Sequence, residues 1–114
     1  MVVDDAAVMR IRLRDILETQ YKVVAEASNG QEALTLYDDY HPDFVTLDIT
    51  MPQLNGIETL ERLISAHPEA KVVIVSAVGQ RRMVFDAISK GAKDFIIKPF
   101  DPARVMVAID RLFE

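Results

Sequence analysis

The chain has 114 residues, half of them apolar, enough to fill one core and too few for a second domain. Its net charge of −5 argues against non-specific nucleic-acid binding, and the lack of cysteine excludes disulfides, thiolate metal sites and a cysteine nucleophile. With no uninterrupted apolar run of about 18 residues and no basic-then-apolar leader, neither a membrane span nor a signal peptide is expected, and a cytoplasmic protein is.

Short β-branched runs alternate with helical patterns along the chain. Met1–Val3 reads as a strand that ends in Asp4-Asp5, followed by a helix with Met9, Leu13, Ile16 and Leu17 on one stripe. Lys22–Ala27 is the second strand, and the helix after Asn29-Gly30 sets Ala33, Leu36, Tyr37 and Tyr40 inward. Phe44–Asp48 is an apolar strand that runs into an acid, breaks at Met51-Pro52 and turns at Asn55-Gly56 into a helix carrying Ile57, Leu60 and Ile64. Val72–Ser76 precedes a helix with Val84, Ala87 and Ile88 inward, stopped by Gly91. Asp94–Ile97 leads through Lys98-Pro99 to a helix with Val105, Ala108, Ile109 and Leu112 at i, i+3, i+4 and i+7. Pro102 opens it at a first-turn position, with Asp101 as cap.

Five βα units with mostly unbroken apolar strands predict an α/β fold with a parallel sheet covered on both faces. In the flavodoxin-like, doubly wound version the strand order is 2-1-3-4-5, and ligands sit at the C-terminal strand ends near the switch between the first and third strands. Asp4, Asp5, Asp48, Ser76 and Lys98 all fall at that edge, on neighbouring strands roughly 4.8 Å apart. Three carboxylates together repel one another. With no Cys or His beside them, the expected guest is a hard, oxygen-preferring cation, most simply Mg²⁺. Asp48 is then free to attack phosphorus as a carboxylate nucleophile, Lys98 to neutralise phosphoryl oxygens and Ser76 to donate to one of them.

Taken together and in order, "VVDD", "LDITMP", "VSA" and "FIIKPF" resemble the bacterial response-regulator receiver domain over essentially the whole of residues 1–114. The resemblance implies that Asp48 is the phosphoacceptor and that Asp5, Asp48 and the Thr50 carbonyl hold Mg²⁺, with Asp4 helping indirectly. It further implies that Ser76 and Phe95 are the switch pair, that Lys98 binds phosphate, and that the bond before Pro99 is often cis. It implies a switch protein, phosphorylated by a histidine kinase and served by a possible phosphatase, and not a turnover enzyme. Family members usually carry several more residues before the paired acids, so the first strand looks clipped. Finer matches, "DAAVMR", "SAVGQ", "MVFDAI" and "GAKDFIIKPF", are similar to single-domain CheY-type chemotaxis regulators, which would make a flagellar motor switch protein the output partner. A receiver domain cut from a transcriptional or other output regulator would look the same.

Charge is uneven along the chain: residues 1–70 carry 13 acids against 5 bases, and residues 71–114 carry 5 against 8. Arg81, Arg82, Lys90 and Lys93 lie in or near the fourth helix and are expected to steer an acidic partner segment. Val78 offers no polar group to orient water, which predicts modest self-dephosphorylation unless a phosphatase supplies one. A haloacid dehalogenase-type phosphatase would want an acid where Thr50 stands, and a flavodoxin would want a hydroxyl- and glycine-rich loop where Asp4-Asp5 stand.

Overall fold

Runs of β-branched residues form a five-stranded parallel sheet in the computed structural model of the chain, which describes residues 1–51 and 55–114. The strands are β1 (Val2–Val3), β2 (Glu26–Ala27), β3 (Val45–Asp48), β4 (Val72–Ala77) and β5 (Asp94–Lys98). The helices are α1 (Ala7–Leu17), α2 (Gly30–Tyr40), α3 (Gly56–Ala66), α4 (Arg81–Ser89) and α5 (Pro102–Arg111). The strand order is 2-1-3-4-5, as the alternation of elements predicted.

Strand residues alternate between two cores. Val3, Val45, Leu47, Val72 and Ile74, with Ile49 just past β3, pack against α2, α3 and α4 through Tyr37, Leu60, Leu63 and Val84. Val2, Val73, Val75 and Ile96 pack on the other face against Leu13 and Leu17 of α1 and Val105 and Ile109 of α5. This double covering explains why the strands read as unbroken apolar runs.

Three helices begin on side-chain caps. Asn29 accepts from the Glu32 amide at 2.8 Å, Asn55 from Glu58 at 2.9 Å and Asp101 from Arg104 at 2.8 Å. Gly56 admits no side chain, because a Cβ there would stand 2.3 Å from the Asp48 carbonyl oxygen. The start of α3 thus lies directly against the end of β3 and fixes the rim around Asp48.

Some expected boundaries shift. The second strand is two residues long, since Lys22–Val24 lack a ladder partner below the first pair, Val2 with Glu26. Tyr40, at the last turn of α2, is exposed, and Ile88 is half-exposed because α4 turns Val84 and Ala87 inward. The break expected at Pro52 lies outside the described residues. At the N-terminal end of the strands a hollow of about 440 Å³ is lined by Met1, Tyr21, Tyr40, Phe44 and Phe113.

Candidate functional site

Parallel register brings four strand ends together. Asp4 follows β1 directly, Asp48 closes β3, and Ser76 and Lys98 stand at the ends of β4 and β5. Asp48 pairs with Val75 and Ser76 with Ile97, so these polar residues rise to one level at the C-terminal edge. One carboxylate oxygen from each of Asp4, Asp5 and Asp48 lies within 4.8 Å of the others.

Two of these acids are deeply placed: Asp4 is 0% exposed and Asp48 5%, whereas Asp5 is exposed. Asp4 Oδ1 accepts from the Ala6 amide at 2.8 Å and its Oδ2 from Lys98 Nζ at 3.1 Å. Asp48 is held in the same manner, with Oδ1 on the Thr50 amide at 3.2 Å and Oδ2 at 3.5 Å from Lys98 Nζ. One ammonium therefore serves two buried carboxylates.

That arrangement leaves negative charge in excess. Burial, reinforced by the charge of Asp4, pushes the Asp48 carboxyl up to about 6, against the opposing pull of Lys98 and the Thr50 amide. Burial draws the Lys98 ammonium down, but Asp48 and Asp4 outweigh it and leave it above the ordinary lysine value. A divalent cation would relieve the same excess. The donor set, carboxylate oxygens with no imidazole or thiolate among them, suits Mg²⁺. Ser76 Oγ is buried beside this edge and makes no hydrogen bond among the described residues, so it holds an unused donor and acceptor.

The remaining predicted residues are spread more widely. Phe95 is 36% exposed on β5, with the Arg104 guanidinium 5.9 Å from its ring centroid and Arg104 Nη2 on its carbonyl at 2.7 Å. An open hollow of about 450 Å³, lined by Ala77, Val84, Phe85, Phe95 and Ile97 among others, adjoins it. Arg81 and Arg82 are exposed at the start of α4, while Lys93 lies beyond the helix's other end. Lys90 Nζ is engaged by Asp86 at 2.9 Å and by Glu61 at 3.7 Å. The four cations thus do not make one patch. His67 is bonded to Asp38 at 2.9 Å and tilted against the Tyr37 ring, at the end of α3 opposite the one that abuts Asp48. The Lys98–Pro99 bond is cis.

One contact had no counterpart in the sequence reading. Gln80 Oε1 accepts from the Ala77 amide at 2.7 Å, and its Nε2 donates to Thr50 Oγ1 at 2.6 Å. Its signal in the sequence was a polar residue just before α4, within "SAVGQ", with nothing to indicate that it reaches a residue 30 positions earlier.

The family model described as the response regulator receiver domain matches residues 1–110. The chain is 51% identical to the chemotaxis protein CheY of Listeria monocytogenes, over 97% of this chain and 94% of that protein. It is 49% identical to the chemotaxis protein CheY of Thermotoga maritima, over 98% of this chain and 94% of that protein. Among solved structures it is similar to CheY in the CheX-CheY-BeF3-Mg²⁺ complex from Borrelia burgdorferi, with a TM-score of 0.94 and 36% identity over 99% of this chain and 87% of that one. With its strand order, its acid cluster and this match over nearly all its length, the chain belongs to the response regulator receiver domain family.

Proposed function

We propose that the chain is a phosphoacceptor switch of two-component signalling, in which Asp48 takes a phosphoryl group from a histidine kinase. The observation that carries this reading is the Lys98 ammonium placed between two buried carboxylates, 3.1 Å from Asp4 and 3.5 Å from Asp48. A salt bridge serving stability alone would need one acid. Here the second sits at a strand end with a raised pKa, next to an unpartnered hydroxyl.

An Asp48 oxygen attacks phosphorus, the bond from phosphorus to the donor's imidazole nitrogen breaks, and the imidazole leaves with that electron pair. Asp5, Asp48 and the Thr50 carbonyl would hold Mg²⁺, with Asp4 supporting, and the ion would supply charge neutralisation at the phosphoryl oxygens. Lys98 transfers its hydrogen bond from Asp48 to a phosphoryl oxygen, and Ser76 turns its hydroxyl to another. Movement of Ser76 opens space on the Phe95 side, where the adjoining hollow can take the ring. The face made by α4, β5 and α5 changes accordingly.

The names of the relatives at about half identity, of whose length the chain covers 94%, favour chemotaxis as the process served, for which the output partner would be a flagellar motor switch protein. The Borrelia complex of CheY with CheX supports a CheX-like protein as a further partner, beside the phosphatase expected to act on the aspartyl phosphate. Such a phosphatase would supply the polar group that Val78 lacks. The protein would act in the cytosol, and among its described residues no helix is long and apolar enough to cross a membrane. The test is intact mass after incubation with acetyl phosphate. One phosphoryl gain that requires both Mg²⁺ and Asp48 supports the switch, and no gain in folded, Mg²⁺-bound protein would point to a constitutive binding module instead.

A further inference from the structure

The proposed reaction leaves one well-placed side chain unused. Gln80 stands at the N-cap position of α4, yet its carboxamide makes no bond to that helix's first-turn amides. It turns back toward the strand edge, taking the Ala77 amide on Oε1 and giving Nε2 to the Thr50 hydroxyl. Register explains the geometry. Because Asp48 pairs with Val75, Thr50 and Ala77 each lie two residues further along neighbouring strands, at one level just past the Asp48 carboxylate. The carboxamide is a crossbar between the end of β4 and the loop after β3, the two segments that flank Asp48.

Those segments hold the donors that a phosphoryl group on Asp48 would want. The Thr50 amide already meets Asp48 Oδ1, and the Ser76 hydroxyl has no partner among the described residues. The Ala77 amide, next in the chain after Ser76, is occupied by Gln80 Oε1. A phosphoryl group brings three strong acceptor oxygens, and charged acceptors form hydrogen bonds roughly twice as strong as neutral amides do.

We propose that Gln80 is an internal gate on the phosphoacceptor site, an inference that rests on the reading of Asp48 given above. In the resting chain its carboxamide occupies the Ala77 amide and ties the Thr50 loop to the end of β4. A phosphoryl group on Asp48 competes for that amide and displaces the carboxamide. The released side chain lies at the start of α4, whose first turn has neither an acidic residue nor a side-chain cap, so its oxygen has amides to accept from. Gln80 is thus a positioning residue that links occupancy of Asp48 to the end of α4 that borders the Phe95 hollow.

The test uses the full chain, acetyl phosphate with Mg²⁺, and ¹⁵N spectra that follow the Ala77 amide. Gln80→Met keeps the length of the side chain and removes both bonds. It should be phosphorylated about three- to ten-fold faster than wild type, with loss of hydrogen-exchange protection at Ala77. Gln80→Glu keeps an acceptor for Ala77 and adds negative charge beside the incoming group, so it should be slower than wild type with Ala77 still protected. Thr50→Val cuts the crossbar at its other end and should move the rate in the same direction as Gln80→Met. A structural role alone would shift the Met and Glu variants in the same direction. That result, or unchanged rates in both while wild type is labelled at Asp48, overturns the gate alone. Wild type that takes no phosphoryl group on Asp48 overturns the gate and the phosphoacceptor reading together.

Discussion

At the C-terminal ends of the strands Asp4, Asp48 and Ser76 are buried, with one ammonium shared between two acids and one hydroxyl that has no partner among the described residues. At the opposite end Tyr21, Phe44 and Phe113 pack edge to face or tilted, the Tyr21 hydroxyl donates to Asp110, and Lys71 Nζ meets the Leu112 carbonyl at 3.0 Å while lying over the Phe113 ring. The same strands feed both ends. One end closes with aromatic surface, and the other keeps repulsion between acids and an unfilled bond buried beneath the rim. The difference separates residues that hold the fold from residues that hold a reaction, and it can be broken at either end.

The largest effect belongs to Asp48→Asn. It should abolish phosphorylation by acetyl phosphate while leaving the melting temperature equal to or above that of wild type, because it removes a carboxylate that burial and Asp4 both disfavour. Lys98→Met comes next, with the phosphorylation rate expected to fall roughly 10²-fold as the cation facing the phosphoryl oxygens is lost. Metal-free Lys98→Met should also melt lower, with two buried acids left uncompensated.

The third prediction concerns pH. The folded chain holds the Asp48 proton more tightly than the unfolded chain, whose value lies near the reference of about 3.9. This contribution to stability is therefore complete below pH of about 4 and is lost as pH rises to about 6. Metal-free protein should lose about 2–3 kcal/mol from this group over that window, measured by urea unfolding, and Asp48→Asn should remove that dependence. Added Mg²⁺ should restore stability chiefly above the window, where the carboxylate is charged.

At the other end, Phe113→Ala should cost about 1 kcal/mol in urea unfolding and leave the phosphorylation rate unchanged. A change in rate there would erase the distinction between the two ends. The smallest effect is electrostatic. Arg81→Glu with Arg82→Glu should slow association with an acidic partner segment several-fold at low salt and little at high salt. Lys90→Glu should act mainly through lost pairing with Asp86 and Glu61, and so respond less to salt.

The fold was legible because the inner strands β1, β3 and β4 are buried on both faces and each helix carries a clear stripe or cap, so periodicity and Asn, Asp, Gly and Pro positions marked most elements. The chemistry was legible because acids, a hydroxyl and a lysine at strand ends have no packing reason to be there. What escaped depends on distant neighbours. β2 is short because it has only the two residues of β1 to pair with, and Lys90, already paired with Asp86, also meets Glu61 on α3. The Gln80 crossbar joins segments that only the strand order brings side by side. A helix's inner stripe could be read locally, but Tyr40 and Ile88 show that helix ends and rims follow the shape of the neighbouring surface.

The most direct test of the phosphoacceptor site is reductive trapping. Borohydride converts an aspartyl phosphate to homoserine, so protein treated with acetyl phosphate and Mg²⁺, reduced and mapped by peptide mass should carry homoserine at position 48 and at no other aspartate. Homoserine at another position, or none under conditions where the intact protein gains a phosphoryl group, would contradict the assignment of Asp48.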